Sequence, residues 1–299
     1  MATAVLFPGQ GTQTPGMGEP WRSSPAWKIV ERAETAVDLP LAHLLLDATA
    51  EELTRTREAQ LSVLLASLMA WDALRERIEA PVAFAGHSLG QITALIASGA
   101  LSLEGGVALA AARADCTQAA ADATPGRMAA LIGADIDTAE KACTDAEAWV
   151  ANDNAPGQIV IGGTAEGIEA ASARAGDLGV RRVIALNVGA AFHTPMMRAA
   201  ADALAPVLAA TTFAVPAAPV ISNTDARPYA GADGWPTRLA DHLISPVRWR
   251  STLETLVEMG SNTFVEVGPG KVLAGLAKRT VGAAVNLRSV TVPTDAEDA

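Results

Sequence analysis

The chain has 299 residues, of which 50% are hydrophobic and 18% are charged, and its formal net charge is −11 at pH 7. This composition is typical of a globular protein with a sizeable core, built as one large domain or as a domain with a smaller one inserted. The acidic balance argues against nucleic-acid binding, which requires a basic face. An acidic substrate would need a local basic site.

Cys116 and Cys143 lack the C-x-x-C spacing of metal or redox sites, so no metal site is expected and both cysteines are interpreted as free thiols. Free thiols fit a reducing, cytoplasmic compartment. Residues 1–7 contain no basic n-region, and no stretch approaches about 18 uninterrupted apolar residues. Neither a signal peptide nor membrane association is therefore expected.

The first part of the chain alternates between strand and helix patterns. A short apolar strand at 4–7 ends at Pro8-Gly9-Gln10-Gly11, where the glycines allow a ligand to approach the backbone. This G-x-G lacks the further spacing and downstream acid of a dinucleotide fingerprint. Next come predicted helices at 26–37 and 59–78, a strand at 81–85, and helices at 90–98 and 103–121.

Residues 86–90 have the sequence Gly-His-Ser-Leu-Gly, which matches the G-x-S-x-G pattern of a nucleophile elbow. The pattern lies between a predicted strand and a predicted helix, as this motif requires. Gly86 and Gly90 remove side chains that would collide where the backbone reverses. Ser88 is therefore predicted to be an exposed nucleophile, and the free N–H of Leu89 at the helix start is predicted to bind an oxyanion.

The order of elements changes near residue 126. The patterns predict a strand at 128–132, a helix at 138–146, strands at 149–152 and 158–162, a helix at 164–178 and a strand at 182–186. This βαββαβ order is the ferredoxin-like arrangement. It predicts a small inserted subdomain over residues 125–189, with residues 1–124 and 190–299 forming the larger catalytic subdomain.

The last part of the chain returns to alternating elements. Helices are predicted at 196–210, 236–243, 249–259 and 272–280, and strands at 220–222 and 263–267. Strands between helices on both sides of the insertion predict a mostly parallel sheet covered on both faces, in an α/β-hydrolase-like large subdomain. Residues 294–299 are polar and acidic and are expected to fray.

A serine hydroxyl needs a base within hydrogen-bond reach, and the chain has four histidines. His193 lies in a loop between a strand end and a helix start, where α/β folds gather their sites. His242, at the end of a predicted helix, is a second candidate. Strand alternation points His87 away from Ser88, and His43 is interpreted as a surface or capping residue.

Arg113 lies within a predicted helix, flanked by Leu and Ala residues over 109–114. A lone arginine is usually a surface residue of its helix. This small, apolar setting instead favours a position in a pocket. A guanidinium there offers two parallel N–H donors that match a carboxylate.

An ordered series of motifs resembles malonyl-CoA:acyl carrier protein transacylases over nearly the whole chain. The inserted ferredoxin-like subdomain is also part of that family's architecture. The motifs are Pro8-Gly9-Gln10-Gly11, Gly86-His87-Ser88-Leu89-Gly90, Arg113, Ala191-Phe192-His193, Ile221-Ser222-Asn223, Pro246-Val247-Arg248-Trp249 and the segment from Glu266 to Leu273.

The resemblance implies that Ser88 is the nucleophile and His193 its base, with the oxyanion bound by the N–H groups of Gln10 and Leu89. It implies that Arg113 binds the free carboxylate of malonate. The expected reaction is a ping-pong transfer of malonyl from malonyl-CoA to the phosphopantetheine thiol of an acyl carrier protein. It needs no bound cofactor, and the expected enzyme is a cytoplasmic monomer of fatty acid synthesis.

The resemblance also assigns roles near the base. The main-chain carbonyl of His242 is expected to orient His193, and the side chains of Phe192 and His242 are expected to shape the substrate pocket. Phe192 would crowd a substituent on the α-carbon of the acyl group. The family usually has Gln at the position of His242 and Glu at that of Gln91, so the pocket shape near His242 can differ here.

Three other functions could be built on the same fold. An esterase or thioesterase on the same elbow would have an aspartate triad member or an H-G-G-G-like loop, and neither is recognised. An acyltransferase that supplies a polyketide synthase remains open. An inactive interaction module is disfavoured by the presence of Ser88, His193 and Arg113. Carrier docking is expected on a local basic patch, with the candidates Arg181, Arg182, Lys271, Lys278 and Arg279.

Overall fold

The computed structural model describes residues 2–297. The strands are β1 Thr3–Phe7, β2 Ala83–Gly86, β3 Arg127–Ile132, β4 Ala148–Ala155, β5 Gln158–Gly163, β6 Arg182–Ala185, β7 Val220–Ile221, β8 Pro228–Tyr229, β9 Val247–Arg248, β10 Thr263–Val267 and β11 Asn286–Val290. The helices are α1 Lys28–Val37, α2 Leu41–Leu46, α3 Thr56–Leu74, α4 Gly90–Ala97, α5 Leu103–Ala123, α6 Ile136–Cys143, α7 Ala165–Asp177, α8 Arg198–Ala210, α9 Trp235–Ile244, α10 Trp249–Glu258, α11 Val272–Thr280 and α12 Pro293–Glu297. Within residues 2–297, no helix combines the length and apolar character needed to cross a bilayer.

The larger sheet has the strand order β11-β10-β1-β2-β7-β8. Neighbouring strands from β11 to β7 are parallel, and β8 alone runs antiparallel to its neighbour. Every residue of β1 is buried, as expected for a strand covered on both faces of a parallel sheet. The prediction of a mostly parallel sheet within an α/β fold is therefore confirmed.

The smaller sheet has the order β6-β3-β5-β4-β9. Its first four strands are antiparallel neighbours, and together with α6 and α7 they follow the predicted βαββαβ order. Strand β4 extends to Ala155, beyond its predicted end at 152, because two register shifts let it continue against β5. The fifth strand, β9, comes from the C-terminal part of the chain and pairs parallel to β4. It was not predicted.

The sequence patterns also missed α2, β8, β11 and α12, which are short. The expected fraying of 294–299 is wrong for the residues up to 297, which lie in α12. The Asp295 carboxylate accepts hydrogen bonds from the N–H and hydroxyl of Thr291 and from the N–H of Val292, and so holds this helix start. Residues 298–299 lie outside the described residues.

Helix α3 forms the centre of the larger core. The helix is buried almost all round, as for a helix enclosed by other elements. Trp71 packs edge-to-face on Phe7 of β1, with ring centroids 6.3 Å apart, and on Phe84 of β2, at 5.4 Å. These contacts fix α3 against the two central strands, of which β2 leads into the elbow.

Residues 86–90, the elbow, make a tight reversal between β2 and α4. Ser88 has φ 53°, in the left-handed region that non-glycine residues rarely adopt. A Cβ on Gly86 would collide with the backbone of Gly90, and a Cβ on Gly90 would collide with the carbonyl of Phe7. The turn therefore requires glycine at both positions, as expected from the motif.

We predict that Gly86→Ala lowers the free energy of unfolding by about 1–3 kcal/mol or more, because the new methyl group meets backbone that cannot move aside cheaply. Gly176→Ala is the matched control. Gly176 lies in α7 with open space around its Cβ position, so its replacement should change stability little or raise it by about 0.5–1 kcal/mol. Urea unfolding of both variants measures the difference, and equal midpoints would contradict the steric role of Gly86.

Candidate active site

Ser88 and His193 are in hydrogen-bond contact, although 105 residues separate them in the chain. The Ser88 Oγ lies 2.8 Å from His193 Nε2. His193 Nδ1 lies 2.8 Å from the backbone carbonyl oxygen of His242. A carbonyl can only accept, so Nδ1 carries the ring proton and Nε2 is left to accept the serine hydroxyl. The arrangement suits an imidazole that takes a proton from Ser88.

The His193 ring is neutral at pH 7. Burial, together with the charge of Arg113, lowers its pKa to about 3, although the hydrogen bond to the His242 carbonyl opposes this shift. Only 4% of His193 is exposed. A neutral ring keeps the electron pair on Nε2 that a base requires.

His242, on α9, lies behind His193. Its ring stacks on the His193 ring, with centroids 4.8 Å apart and planes 27° apart. Among the described residues, no group lies within hydrogen-bond distance of its Nε2. His242 is not among the residues that line the cleft around Ser88, so any effect of its side chain on the substrate pocket would act through the His193 ring on which it stacks.

Arg113, on α5, is buried beside the serine. Its Nη2 donates to Ser88 Oγ at 3.2 Å and its Nη1 to Gln60 Oε1 at 2.6 Å. Within residues 2–297, no carboxylate forms an ion pair with it. Burial lowers its pKa to about 10, so the guanidinium is still charged at pH 7. A buried cation without a counter-ion is costly, and a carboxylate-bearing ligand would relieve that cost.

The backbone N–H groups of Leu89 and Gln10 are the expected oxyanion donors; Leu89 directly follows Ser88, and Gln10 lies in the loop after β1, where Gly9 approaches the elbow at His87. Both residues line the same cavity as the serine. In the part of the chain that the structure describes, neither N–H has an acceptor. Gly9 allows this approach, because a Cβ there would lie 2.5 Å from the His87 carbonyl oxygen. The two donors are therefore available to a developing oxyanion.

These groups meet in a cleft of about 240 Å³ between the two sheets. One wall carries the elbow, the loop after β1, and Gln60 and Arg113. The opposite wall carries Phe192 and polar side chains of β4, and helix α11 closes one end. The residues that define the cleft are Pro8, Gly9, Gln10, Thr12, Gln60, His87, Ser88, Leu89, Arg113, Met128, Asn152, Asn154, Gln158, Val160, Leu186, Val188, Phe192, His193, Val272, Leu273 and Leu276.

The remaining histidines lie where the sequence placed them. His87 turns away from Ser88, and its Nε2 lies 2.8 Å from Asn154 Oδ1. His43 lies at the surface, 3.4 Å from a carboxylate oxygen of Glu52.

The sequence reasoning missed Gln60 and Asn154. Each is a polar residue in a buried run of its element, which is the signal that could have identified it.

The fold and these contacts define an α/β protein with a serine and a histidine paired at a nucleophile elbow. Residues 5–295 match the model of the family described as "Acyl transferase domain". The chain belongs to this family of acyltransferases.

Relatives in this family match the chain over nearly its full length. The malonyl CoA-acyl carrier protein transacylase of Bacillus subtilis is 40% identical over 297 residues, which cover 97% of this chain and 92% of that protein. The structure of the acyl-carrier-protein S-malonyltransferase of Burkholderia pseudomallei is similar, with TM-score 0.94, 34% identity, and 100% of this chain and 99% of that chain covered. The structure of a malonyl-transacylase in complex with its type II PKS acyl-carrier protein is also similar. Its TM-score is 0.94 and its identity 32%, and the match covers 99% of this chain and 98% of that chain.

The buried histidines make stability depend on pH. Burial lowers the pKa of His87, His193 and His242 below the ordinary value of 6.5. Below pH 6.5 the unfolded chain takes up protons that the folded chain does not, so the free energy of unfolding falls as the pH drops. Each histidine contributes at most about 1.4 kcal/mol per pH unit. Glu266, whose pKa burial raises from 4.5 to about 6, opposes this trend between those two values.

We therefore predict that urea midpoints fall steadily from pH 6.5 to pH 5.5, with little change between pH 7.5 and pH 6.5. His242→Gln removes one of the three titrating rings and keeps the backbone carbonyl, so its unfolding free energy should depend less steeply on pH. Equal slopes for the wild type and this variant would show that His242 protonates as readily in the folded chain as in the unfolded one.

Proposed function

We propose that this chain transfers a malonyl group from malonyl-CoA to the phosphopantetheine thiol of an acyl carrier protein, through a malonyl ester on Ser88. The observation that carries the substrate is the buried, charged Arg113, which lies 3.2 Å from Ser88 Oγ and has no carboxylate partner among the described residues. A three-carbon diacid monothioester can place its thioester carbon at Ser88 and its free carboxylate at Arg113. The names of the relatives point to the same substrate.

In the first half-reaction, Ser88 Oγ attacks the thioester carbonyl carbon while His193 Nε2 takes the hydroxyl proton. The carbonyl oxygen becomes an oxyanion that accepts hydrogen bonds from the N–H groups of Leu89 and Gln10. When the tetrahedral intermediate collapses, the carbon–sulfur bond breaks. The imidazolium of His193 gives its proton to the leaving CoA sulfur, and the malonyl group remains as an ester on Ser88.

The second half-reaction reverses these roles. His193 takes the proton of the phosphopantetheine thiol as its sulfur attacks the ester carbonyl carbon. The same two N–H groups hold the oxyanion, and the carbon–oxygen bond to Ser88 breaks. His193 then returns the proton to Ser88 Oγ, which restores the enzyme. In both half-reactions His193 carries the proton between Ser88 and the thiol, and the backbone N–H groups of this chain hold the oxyanion, so the proposal includes no bound cofactor.

We propose the subdomain boundaries predicted from the sequence, with residues 125–189 as the small subdomain and 1–124 with 190–299 as the catalytic one. A hydrogen bond of 3.1 Å from the Gly126 N–H to the Gly189 carbonyl supports them, because it joins the two ends of the insertion.

Phe192, just after the insertion, lines the cleft and would crowd a substituent on the α-carbon of the acyl group.

We place the enzyme in fatty acid synthesis, in the cytoplasm and as a monomer, in keeping with its free cysteines. A second candidate is the supply of malonyl groups to a polyketide synthase. It is favoured by the similarity to the malonyl-transacylase in complex with a type II PKS carrier. Comparing the rates of the second half-reaction with carriers of the two types would distinguish them.

The proposal is tested by mass spectrometry of the protein after incubation with malonyl-CoA and acetyl-CoA. We expect wild-type protein to carry malonyl on Ser88. Arg113→Ala should weaken malonyl loading by about 2–5 kcal/mol, because the substrate carboxylate loses its buried partner, and should raise the ratio of acetyl to malonyl loading. Ser88→Ala is the control that should carry neither group. An unchanged ratio in Arg113→Ala, or an adduct on Ser88→Ala, would overturn the proposal.

The carrier step should depend on exposed basic residues at the end of the cleft. Lys271 directly precedes α11, and Arg279 lies in its last turn and donates to Gln158 of the cleft at 2.6 Å. Acyl carrier proteins of this class are acidic, so these charges would attract them. The other candidates, Lys278, Arg181 and Arg182, are also exposed.

We predict that Lys271→Glu and Arg279→Glu slow the transfer to carrier protein and leave loading from malonyl-CoA nearly unchanged. Lys28→Glu makes the same charge change at an exposed position on α1, away from the cleft, and should have little effect. Added salt should slow the wild-type carrier step, because it screens exposed charges. A carrier step insensitive to both salt and charge reversal would contradict docking at these residues.

A further inference from the structure

Asn223 lies in the loop after β7, fully buried beneath the elbow. Its Oδ1 accepts a hydrogen bond from the Ser88 N–H at 2.8 Å. Its Nδ2 donates to the Gly86 carbonyl at 2.8 Å. One side-chain amide thus bridges the residues on either side of His87, and its orientation is unambiguous because the Ser88 N–H can only donate and the Gly86 carbonyl can only accept.

The backbone of Asn223 is held as firmly as its side chain. Its N–H donates to Gln91 Oε1 at 3.0 Å, and its carbonyl accepts from the Arg248 N–H at 2.9 Å. Gln91 lies in the first turn of α4, so the bond from Asn223 returns to the helix that the elbow starts. Arg248 belongs to β9, which pairs with β4 of the smaller sheet. Asn223 therefore joins the elbow, α4 and the smaller sheet through four hydrogen bonds.

The elbow needs such support, because Ser88 has φ 53°. A left-handed serine persists only where its surroundings hold it. The N–H groups of Gly90 and Gln91 are paired with the carbonyls of His87 and Ser88, and Asn223 occupies the Ser88 N–H. Among the described residues the Leu89 N–H is left without an acceptor, and Leu89 lines the cleft.

We propose that Asn223 is a positioning residue for the acyl transfer. It holds the left-handed turn so that Ser88 Oγ stays on His193 Nε2 while the Leu89 N–H faces the oxyanion. This inference rests on the proposed function, because the groups it positions are those of the proposed reaction. Gln91 assists by fixing the Asn223 backbone, and its neutral amide accepts this hydrogen bond without burying a charge.

The test compares rapid-quench malonyl loading of wild type, Asn223→Ala and Asn223→Asp. A purely structural role would reduce the fraction of protein that loads and leave the rate constant of the folded fraction unchanged. A positioning role lowers the rate constant at full amplitude. We expect Asn223→Ala to load about 10²-fold more slowly, as for a small misplacement of reacting groups, with KM for malonyl-CoA nearly unchanged.

Asn223→Asp is the near-isosteric variant that decides the question if Asn223→Ala folds poorly. It keeps an acceptor for the Ser88 N–H but turns a carboxylate oxygen towards the Gly86 carbonyl, so it should also load more slowly than wild type. Thr224→Val is the control. It removes the neighbouring bond of 2.9 Å between the Ser222 and Thr224 hydroxyls and should load at the wild-type rate.

A wild-type rate constant in folded Asn223→Ala or in Asn223→Asp would overturn the inference. Labelling of Ser88 with a fluorophosphonate is measured in parallel, because it reports on the elbow without a malonyl group. Wild type that is labelled but accepts no malonyl would overturn the proposed function, and the labelling rates of the variants would then decide the role of Asn223. Equal labelling rates of wild type and all variants would overturn the positioning role of Asn223. Slower labelling of both Asn223 variants would support that role.

Discussion

The backbone reversal at Ser88 is the constraint on which the site depends. Gly90 packs directly on the carbonyl of Phe7, and Gly9 packs directly on the carbonyl of His87, so that a Cβ at either position would collide with that carbonyl. These contacts bring the carboxyl ends of β1 and β2, neighbours in the parallel sheet, into direct backbone contact. The N–H groups without acceptors belong to Gln10, which follows the end of β1, and to Leu89, which follows the end of β2. The proposed oxyanion site would thus be a consequence of strand order and of glycine at positions 9, 86 and 90, in keeping with the general location of sites at the carboxyl ends of parallel strands.

A second constraint is electrostatic, because the guanidinium of Arg113 and the imidazole of His193 share one buried cleft. The positive charge of Arg113 adds to burial in lowering the pKa of His193. This keeps the base neutral but makes an imidazolium costly. In the proposed reaction the substrate carboxylate neutralises Arg113, so the cost of protonating His193 falls when the correct substrate is bound. An acyl group without the carboxylate would leave Arg113 unpaired and His193 harder to protonate, so one buried charge would act on both binding and chemistry.

Which features of the fold and of the site could be predicted from the sequence depends on how far apart along the chain the contacting residues lie. The elbow was predictable because its glycines and serine lie within five consecutive residues, and Arg113 was a candidate because it interrupts a small apolar helix pattern. Strand β9 was missed because a two-residue strand has no periodicity. The side-chain hydrogen bonds of Asn223 join residues more than 130 positions apart, so no local pattern reports them. The stacking of the His242 ring on His193 was not predicted, since helix periodicity does not say which neighbour a buried ring meets.

The two sheets supply opposite walls of the cleft, and two polar contacts fix their separation near the serine. His87 of the elbow contacts Asn154 of β4 at 2.8 Å, and Asn223 accepts from Arg248 of β9, the strand that extends the smaller sheet. Asn154 and Asn223 are buried, and a buried polar group that loses its hydrogen bond without replacement costs more than the net stability the bond provides when formed. These contacts therefore oppose a change in the distance between the walls. In the proposed reaction, the room that Phe192 leaves for the acyl group would be defined by the packing of the fold as much as by Phe192 itself. Discrimination between two acyl groups that differ by one methyl group requires such rigidity, because a wall that is free to move would accommodate the larger substrate.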